Sequence, residues 1–278
     1  MKVRIISSMI GLVILTIVLA FFDSIILNIA LAVICFMGMY EFLKATDVLK
    51  NKLLSTISFL PSLIIPFLSY SQIKENAILG LVFYTLAMFA ILLPTHDNTS
   101  TEMMSLSLLM SVALPFSLTT IIFARDEKGM LYGIFYVFLI LCGAWISDTG
   151  AYFSGYFFGK HKLAPKISPK KTIEGAVGGV ISCTLSYLLL GFIFEAITSK
   201  MGLTITVSYI SLLLVAPVVS LLSIVGDLSA SIIKRQHNIK DFGNIMPGHG
   251  GILDRFDSVF YVAGVMFLIS NFVEFLNF

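Results

Sequence analysis

Charge is scarce in this chain. Asp, Glu, Lys and Arg make up 12% of 278 residues against 58% hydrophobic, and mean hydropathy is +0.97. That poverty excludes an ordinary soluble domain. Cysteine is also sparse. Cys35, Cys142 and Cys183 all lie within apolar runs and show no metal-ligand spacing, so they read as small core residues. A signal-peptide cleavage site is missing as well. The opening "MKVR" is basic enough for a leader, but "LAFFDS" offers no small-residue cleavage pattern, and the first segment reads as an uncleaved span. No convincing internal repeat is present.

What is abundant is apolar sequence. Nine stretches approach the roughly 20 helical residues needed to cross a hydrocarbon core. They lie near 4–22, 24–43, 53–71, 76–94, 103–123, 130–156, 172–195, 205–233 and 256–276. Backbone groups in lipid must be satisfied within each segment, so these runs are expected to be helices. They are too long and continuous for barrel strands. The expected class is therefore an all-α integral membrane protein with about nine transmembrane helices. Assigning alternate loops to two sides places 14 of the 18 Lys and Arg residues with the N-terminus. The other side holds Lys74, Arg125, Lys128 and Lys200. Cations accumulate on the cytoplasmic side, so the N-terminus is expected in the cytoplasm and the C-terminus outside.

The sequence divides near residue 125 into an N-terminal region of five spans (1–125) and a region of four spans (126–278). The first five spans carry almost no polar residues in mid-span. The second region carries 9 of the 14 cytoplasmic cations in its loops at 157–171 and 234–255, and Asp148, Glu174, Asp227, Asp254 and Asp257 at the cytoplasmic ends of its spans. Apolar sequence continues beyond Asp148 and Asp227, and an ionisable group inside a span points to function. Small residues spaced by four, Ala151, Gly155 and Gly159, then Gly175 and Gly179, read as close helix packing.

Three stretches carry chemistry. In "GDLSASIIKRQ", Asp227, Ser231, Lys234 and Arg235 share one helical face, with the anion about 12 Å below Arg235 at ~1.5 Å per residue. In "SPKKTIEG", Ser168 and Pro169 read as an N-cap and first helical residue. Lys170 and Lys171 would then join the free N–H groups of a helix N-terminus in a phosphate site. In "PGHGGILDRFD", glycines flank His249, and Asp254 and Asp257 stand three apart at a helix start, on one face. A divalent cation is the simplest partner for such carboxylates, and oxygen donors suit Mg²⁺ shared with phosphates. These electrostatics fit polyphosphate handled at a membrane surface and name no substrate.

Residues 231–257, "SIIKRQHNIKDFGNIMPGHGGILDRFD", closely resemble the signature of the phosphatidate cytidylyltransferase (CDP-diacylglycerol synthase) family. That signature runs S-x-x-K-R-x4-K-D-x-G, then P-G-H-G-G-x-x-D-R-x-D, and all 14 fixed positions match. "SDTGAYFSGYFFGKHKLAPKISPKKTIEG" (147–175) resembles the region upstream of it. The resemblance covers about 130–278 and leaves the first five spans matched in hydropathy only.

The resemblance implies an enzyme that transfers the cytidylyl group of CTP to phosphatidate, giving CDP-diacylglycerol and pyrophosphate for phospholipid synthesis. It implies Mg²⁺ held by Asp227, Asp254 and Asp257, and a second, monovalent cation such as K⁺. Lys171 joins those three as catalytic. Asp148, Ser168, Lys170, Lys171, Glu174, Ser231, Lys234, Arg235, Lys240, Asp241, His249 and Arg255 are expected to bind substrate. A homodimer in the cell (inner) membrane is implied, its active site facing the cytoplasm, with no nucleic-acid partner. Two other readings compete. A transporter would place charge near the midplane between inverted repeats. Another lipid-phosphate transferase would use the same electrostatics.

Overall fold

The computed structural model describes residues 2–97, 99–246, 248 and 250–277, with the backbone alone for residues 2–6 and 8. Ten α-helices account for most of them: α1 (Lys2–Ala20), α2 (Ile25–Ala45), α3 (Lys52–Ile64), α4 (Tyr70–Thr95), α5 (Thr101–Lys128), α6 (Met130–Leu141), α7 (Ser147–Phe158), α8 (Ile173–Lys200), α9 (Tyr209–Gln236) and α10 (Leu253–Ser270). Each expected apolar stretch falls on helix. Among the described residues, six helical stretches are both long and apolar enough to cross a membrane. They are Ile25–Ala45, Tyr70–Thr95, Thr101–Lys128, Met130–Phe158, Ile173–Lys200 and Tyr209–Gln236. The stretch at 53–71 falls short because α3 gives way at Ile65–Phe67 to a tighter 3₁₀ turn containing Pro66. The helix of the last stretch, α10, opens on three charged residues, Asp254, Arg255 and Asp257, and ends at Ser270 rather than 276.

Two compact units form. The first comprises Met1–Met130 and Gln236–Phe256, the second Leu131–Arg235 and Asp257–Phe278. In the first, α2 packs on α3 and α5, and α5 also packs on α4. Helix starts are written locally. Ser24 accepts the N–H of Ile26, Asn51 those of Leu53 and Leu54, and Ser100 that of Met103. Ser69 and Gln72 form a reciprocal capping box at α4. Near the end of α5, Arg125 is almost wholly buried. Its guanidinium donates to the carbonyls of Phe22 at 3.0 Å and Ser24 at 3.2 Å, tying down the α1–α2 turn.

In the second unit, α7 and α8 form the tightest helix pair. A Cβ on Gly150 would strike Ser182, and one on Gly178 would strike Ser154. Gly175 faces the Ala151 carbonyl at 2.8 Å from its virtual Cβ, and Gly179 faces that of Ser147 at 3.0 Å. The small-residue spacing thus serves packing, as its sequence indicates. Buried polar groups bond between helices. Ser147 Oγ lies 2.7 Å from Ser220 Oγ, Tyr187 Oη donates to the Leu139 carbonyl at 2.8 Å, and Tyr136 Oη donates to that of Ala263 at 3.1 Å. The opposite side of α8 exposes Val177, Ile181, Leu185 and Leu189, each by more than half, as an apolar stripe at four-residue spacing.

Two short antiparallel strand pairs depart from an all-helical expectation. β1 (Lys162–Ala164) pairs with β2 (Ser168–Thr172), and β3 (Thr206–Val207) pairs with β4 (Leu276–Asn277). The second pair explains why α9 starts at Tyr209 rather than 205. The chain there is extended, and Ser208 N–H donates to the Phe275 carbonyl at 2.9 Å.

Gly178→Val is expected to destabilise the detergent-solubilised protein by about 1–3 kcal/mol, the usual cost of overpacking. Gly80→Val should leave Tm nearly unchanged, because nothing lies within 4 Å of that position's virtual Cβ. Thermal melts of the two variants check this.

Candidate active site

The second unit gathers six of the sequence-selected residues. Asp148 stands in the first turn of α7, immediately after a π-helical turn at Cys142–Ile146. Such turns are rare and recur at functional sites. Ser223, Asp227, Ser231 and Lys234 follow one another along α9 at helical spacing, Lys171 comes from β2, and Asp257 from α10. Ser223 Oγ donates to Asp148 Oδ1 at 3.3 Å, and Ser231 Oγ to Asp227 Oδ1 at 3.3 Å. Lys171 Nζ lies 2.6 Å from Asp227 Oδ2, and Lys234 Nζ lies 3.9 Å from Asp257 Oδ2. The other oxygen of Asp257 accepts the N–H of Ser258 at 2.8 Å.

Close packing at Gly226 brings α9 against α10 beside Asp227. A Cβ there would lie 2.9 Å from the Tyr261 ring and 3.1 Å from the Asp257 carbonyl. Asp148, Asp227 and Asp257 consequently lie near enough to repel one another, with Lys171 and Lys234 acting against that repulsion. The Lys171 contact has ion-pair distance without hydrogen-bond alignment. Its enclosed ammonium has no aligned acceptor among the described residues. An ammonium in that condition can take phosphate oxygens at little reorganisation cost.

The hairpin corrects the reading of "SPKKTIEG". Ser168 opens β2 opposite Ala164 and does not cap a helix. The cap is Thr172, whose Oγ1 accepts the Gly175 N–H at 3.1 Å, and α8 begins at Ile173. Lys170 and Lys171 therefore precede the helix rather than occupying its first turn. Proline restrains the residue before it to extended backbone, which suits a strand as well as a cap. Threonine is also a capping residue, if a slightly weaker one than serine. Strand alternation then separates the two lysines, leaving Lys170 exposed and Lys171 turned towards Asp227. Glu174 accepts from His161, 2.7 Å from Nδ1 and 3.2 Å from the backbone N. It braces the hairpin against α8. Arg235 is exposed at the end of α9.

The remaining selected residues belong to the first unit. Lys240, Asp241 and Arg255 are exposed. Asp254 Oδ2 accepts two backbone N–H groups, from Phe242 at 2.8 Å and Gly251 at 3.0 Å, and so closes the signature loop on itself. Gly248 and Gly250 have φ of 80° and 87°, in the left-handed region that the sharp turn requires. His249 and Pro247 lie outside the described residues. Sequence reading missed Glu41, which belongs to the five-span region in which no site residue was selected. Its Oε2 accepts the Leu253 N–H at 2.8 Å. The signal was present, a lone carboxylate near the end of an apolar run, as at Asp148. Ser223 was also missed, although it continues the Asp227–Ser231 stripe by one turn.

Among the described residues, no group of three or more His, Cys, Asp or Glu side chains converges tightly enough to ligate a metal together. The donor chemistry nonetheless fits a hard cation. Three mutually repelling carboxylates face two ammoniums, and Mg²⁺ commonly takes only one or two protein carboxylates, with water and phosphate completing its shell.

The profile of the cytidylyltransferase family matches residues 2–273. A phosphatidate cytidylyltransferase of Bacillus subtilis is 43% identical over 138 residues, 50% of this chain and 48% of that protein. Proteins of the same name from Staphylococcus saprophyticus and Staphylococcus aureus are 33% and 35% identical over 269 residues, covering 94% of this chain and 96% of each relative.

Thr172→Ala is expected to lower stability by about 1 kcal/mol, the ordinary value of an N-cap. Ser168→Ala should stay within roughly 0.5 kcal/mol. Thermal or denaturant unfolding of the two variants distinguishes a helix starting at Ile173 from one starting at Pro169.

Proposed function

The chain belongs to the cytidylyltransferase family, and from that premise we propose that it transfers the cytidylyl group of CTP to phosphatidate, releasing pyrophosphate and CDP-diacylglycerol. The observation that carries this reading is the enclosed Lys171 ammonium beside Asp227, within a cluster of three carboxylates at the end of apolar helices. The proposal includes the nine-span topology, a cytoplasmic active site in the cell membrane, a homodimer, and Mg²⁺ with a monovalent cation.

Phosphatidate carries its own nucleophile. A phosphate monoester has a second pKa near ~6 and is largely dianionic at neutral pH, so no side chain need act as general base. The protein's task is to bring two anionic phosphate groups together and hold them in line. Lys171 and Lys234 would bind phosphate oxygens, and their carboxylate partners would fix where each ammonium points. Ser223 and Ser231 hold Asp148 and Asp227 by hydroxyl donation. Asp227 and Asp257 would hold Mg²⁺, and the family resemblance adds Asp254, one turn earlier on α10, as a third carboxylate. Bound there, the metal would polarise the α-phosphate and stabilise leaving pyrophosphate. Low dielectric around the cluster strengthens each of these contacts relative to water.

Purified protein is expected to release pyrophosphate from CTP with phosphatidate and none from CTP with diacylglycerol. Release with diacylglycerol would place it among transferases to a lipid alcohol. Lys171→Ala should lower kcat/KM by roughly 10- to 100-fold, matching the 1.5–3 kcal/mol of a charge-assisted hydrogen bond. Lys170→Ala, on the exposed side of the strand, should change it less than about twofold.

A further inference from the structure

Glu41 is 1% exposed, and the transfer chemistry makes no use of it. It stands in the last turns of α2, and its partners lie about two hundred residues later in the sequence. Oε2 accepts the Leu253 N–H at 2.8 Å, while the buried Oε1 has no hydrogen-bond partner among the described residues. Leu253 is the first residue of α10. Glu41 thus does from a distant segment what a capping side chain does locally: it satisfies an orphan donor and sets a negative charge against the positive end of the helix dipole.

The loop is shaped around this carboxylate. Virtual Cβ atoms on Gly243 and on Gly251 would both strike Glu41, so two fixed glycines of the signature leave room for it. Asp254 closes the same loop from the other side through Phe242 and Gly251. Gly251 therefore touches both acids, packing against one and donating its N–H to the other. Glu41 and Asp254 are also close enough to repel electrostatically, while Lys44, one turn along α2, acts in the opposite sense on Glu41. Any shift of Glu41 changes where the Gly243–Gly251 segment sits and, through its N–H groups, where the Asp254 carboxylate points.

We propose that Glu41 is a positioning residue: it fixes the signature loop and the start of α10 so that Asp254 is held in its working orientation. This rests on the transferase reading for the role of Asp254, while the geometry of the loop is independent of it. A misplacement of about 1 Å at a reacting centre can cost about 100-fold in rate. Glu41→Gln keeps volume and one acceptor but removes the charge.

The test uses full-length protein in detergent or vesicles. Glu41→Gln is expected to lower kcat about 10-fold or more, with a smaller change in KM for CTP, and Glu41→Ala to lower it further. Amide hydrogen exchange across 242–254 should accelerate in Glu41→Gln without substrate or metal. The double variant Glu41→Gln/Asp254→Asn should be no slower than Asp254→Asn alone, because the first residue acts through the second. Wild-type kcat per folded molecule in Glu41→Gln, or fully additive losses in the double variant, would overturn the proposal. If Glu41→Gln does not fold, Glu41→Asp, which keeps the charge and shortens the reach, carries the same readings. Wild-type protein that releases no pyrophosphate from CTP and phosphatidate, yet shows the exchange change, would defeat the transferase reading while leaving the loop's dependence on Glu41 intact.

Discussion

Lys171 and Asp227 meet at 2.6 Å in a unit built mainly from apolar helices. An unpaired charge in such surroundings costs several kcal/mol, so each partner depends on the other being placed before the site can exist. That requirement reaches outward through the unit. Lys171 arrives because β2 is extended up to Thr172, which then caps α8. β2 leads into α8, and α8 lies tightly on α7 because Gly150 and Gly178 admit opposing serines. Asp227 is met by Asp257 because Gly226 lets α10 come close. These glycines act through distance of approach.

The carboxylates are arranged for a partner of opposite charge. Asp148, Asp227 and Asp257 repel one another, and two ammoniums oppose that repulsion. A cation bound together with phosphates would relieve the remainder. Such a cluster is costly to maintain without a ligand, as is common where chemistry is concentrated. The signature loop shows the same economy of parts in the other unit. Asp254 and Glu41 both bond backbone N–H groups, and glycines keep the backbone within reach of them.

Much of this was legible in sequence because period and composition report on burial. Every apolar run falls on a helix, the Asp227–Ser231–Lys234 stripe lies on one helix as its spacing requires, and the four-residue glycine spacing marks the α7–α8 contact. The failures share one cause. Ser168–Pro169 fits a helix start and a strand equally well, and only its pairing with Lys162–Ala164 decides between them. Glu41 answers to residues about two hundred positions away, so no local pattern could name its partner. Span lengths were overestimated where hydropathy continued past the helix, at Ile65–Phe67 and beyond Ser270, because hydropathy does not report the backbone geometry that proline or a turn imposes.

The central claim is that Asp227 holds catalytic charge rather than merely pairing with Lys171. Asp227→Asn preserves shape and removes that charge. Mg²⁺-dependent pyrophosphate release from CTP and phosphatidate, measured alongside Tm for this one variant, separates the two roles. The account predicts turnover per folded molecule reduced by roughly 100-fold or more, over and above the fall in Tm that follows from leaving Lys171 without its partner. A variant that turns over normally per folded molecule but melts well below wild type would contradict it and make the ion contact a structural one.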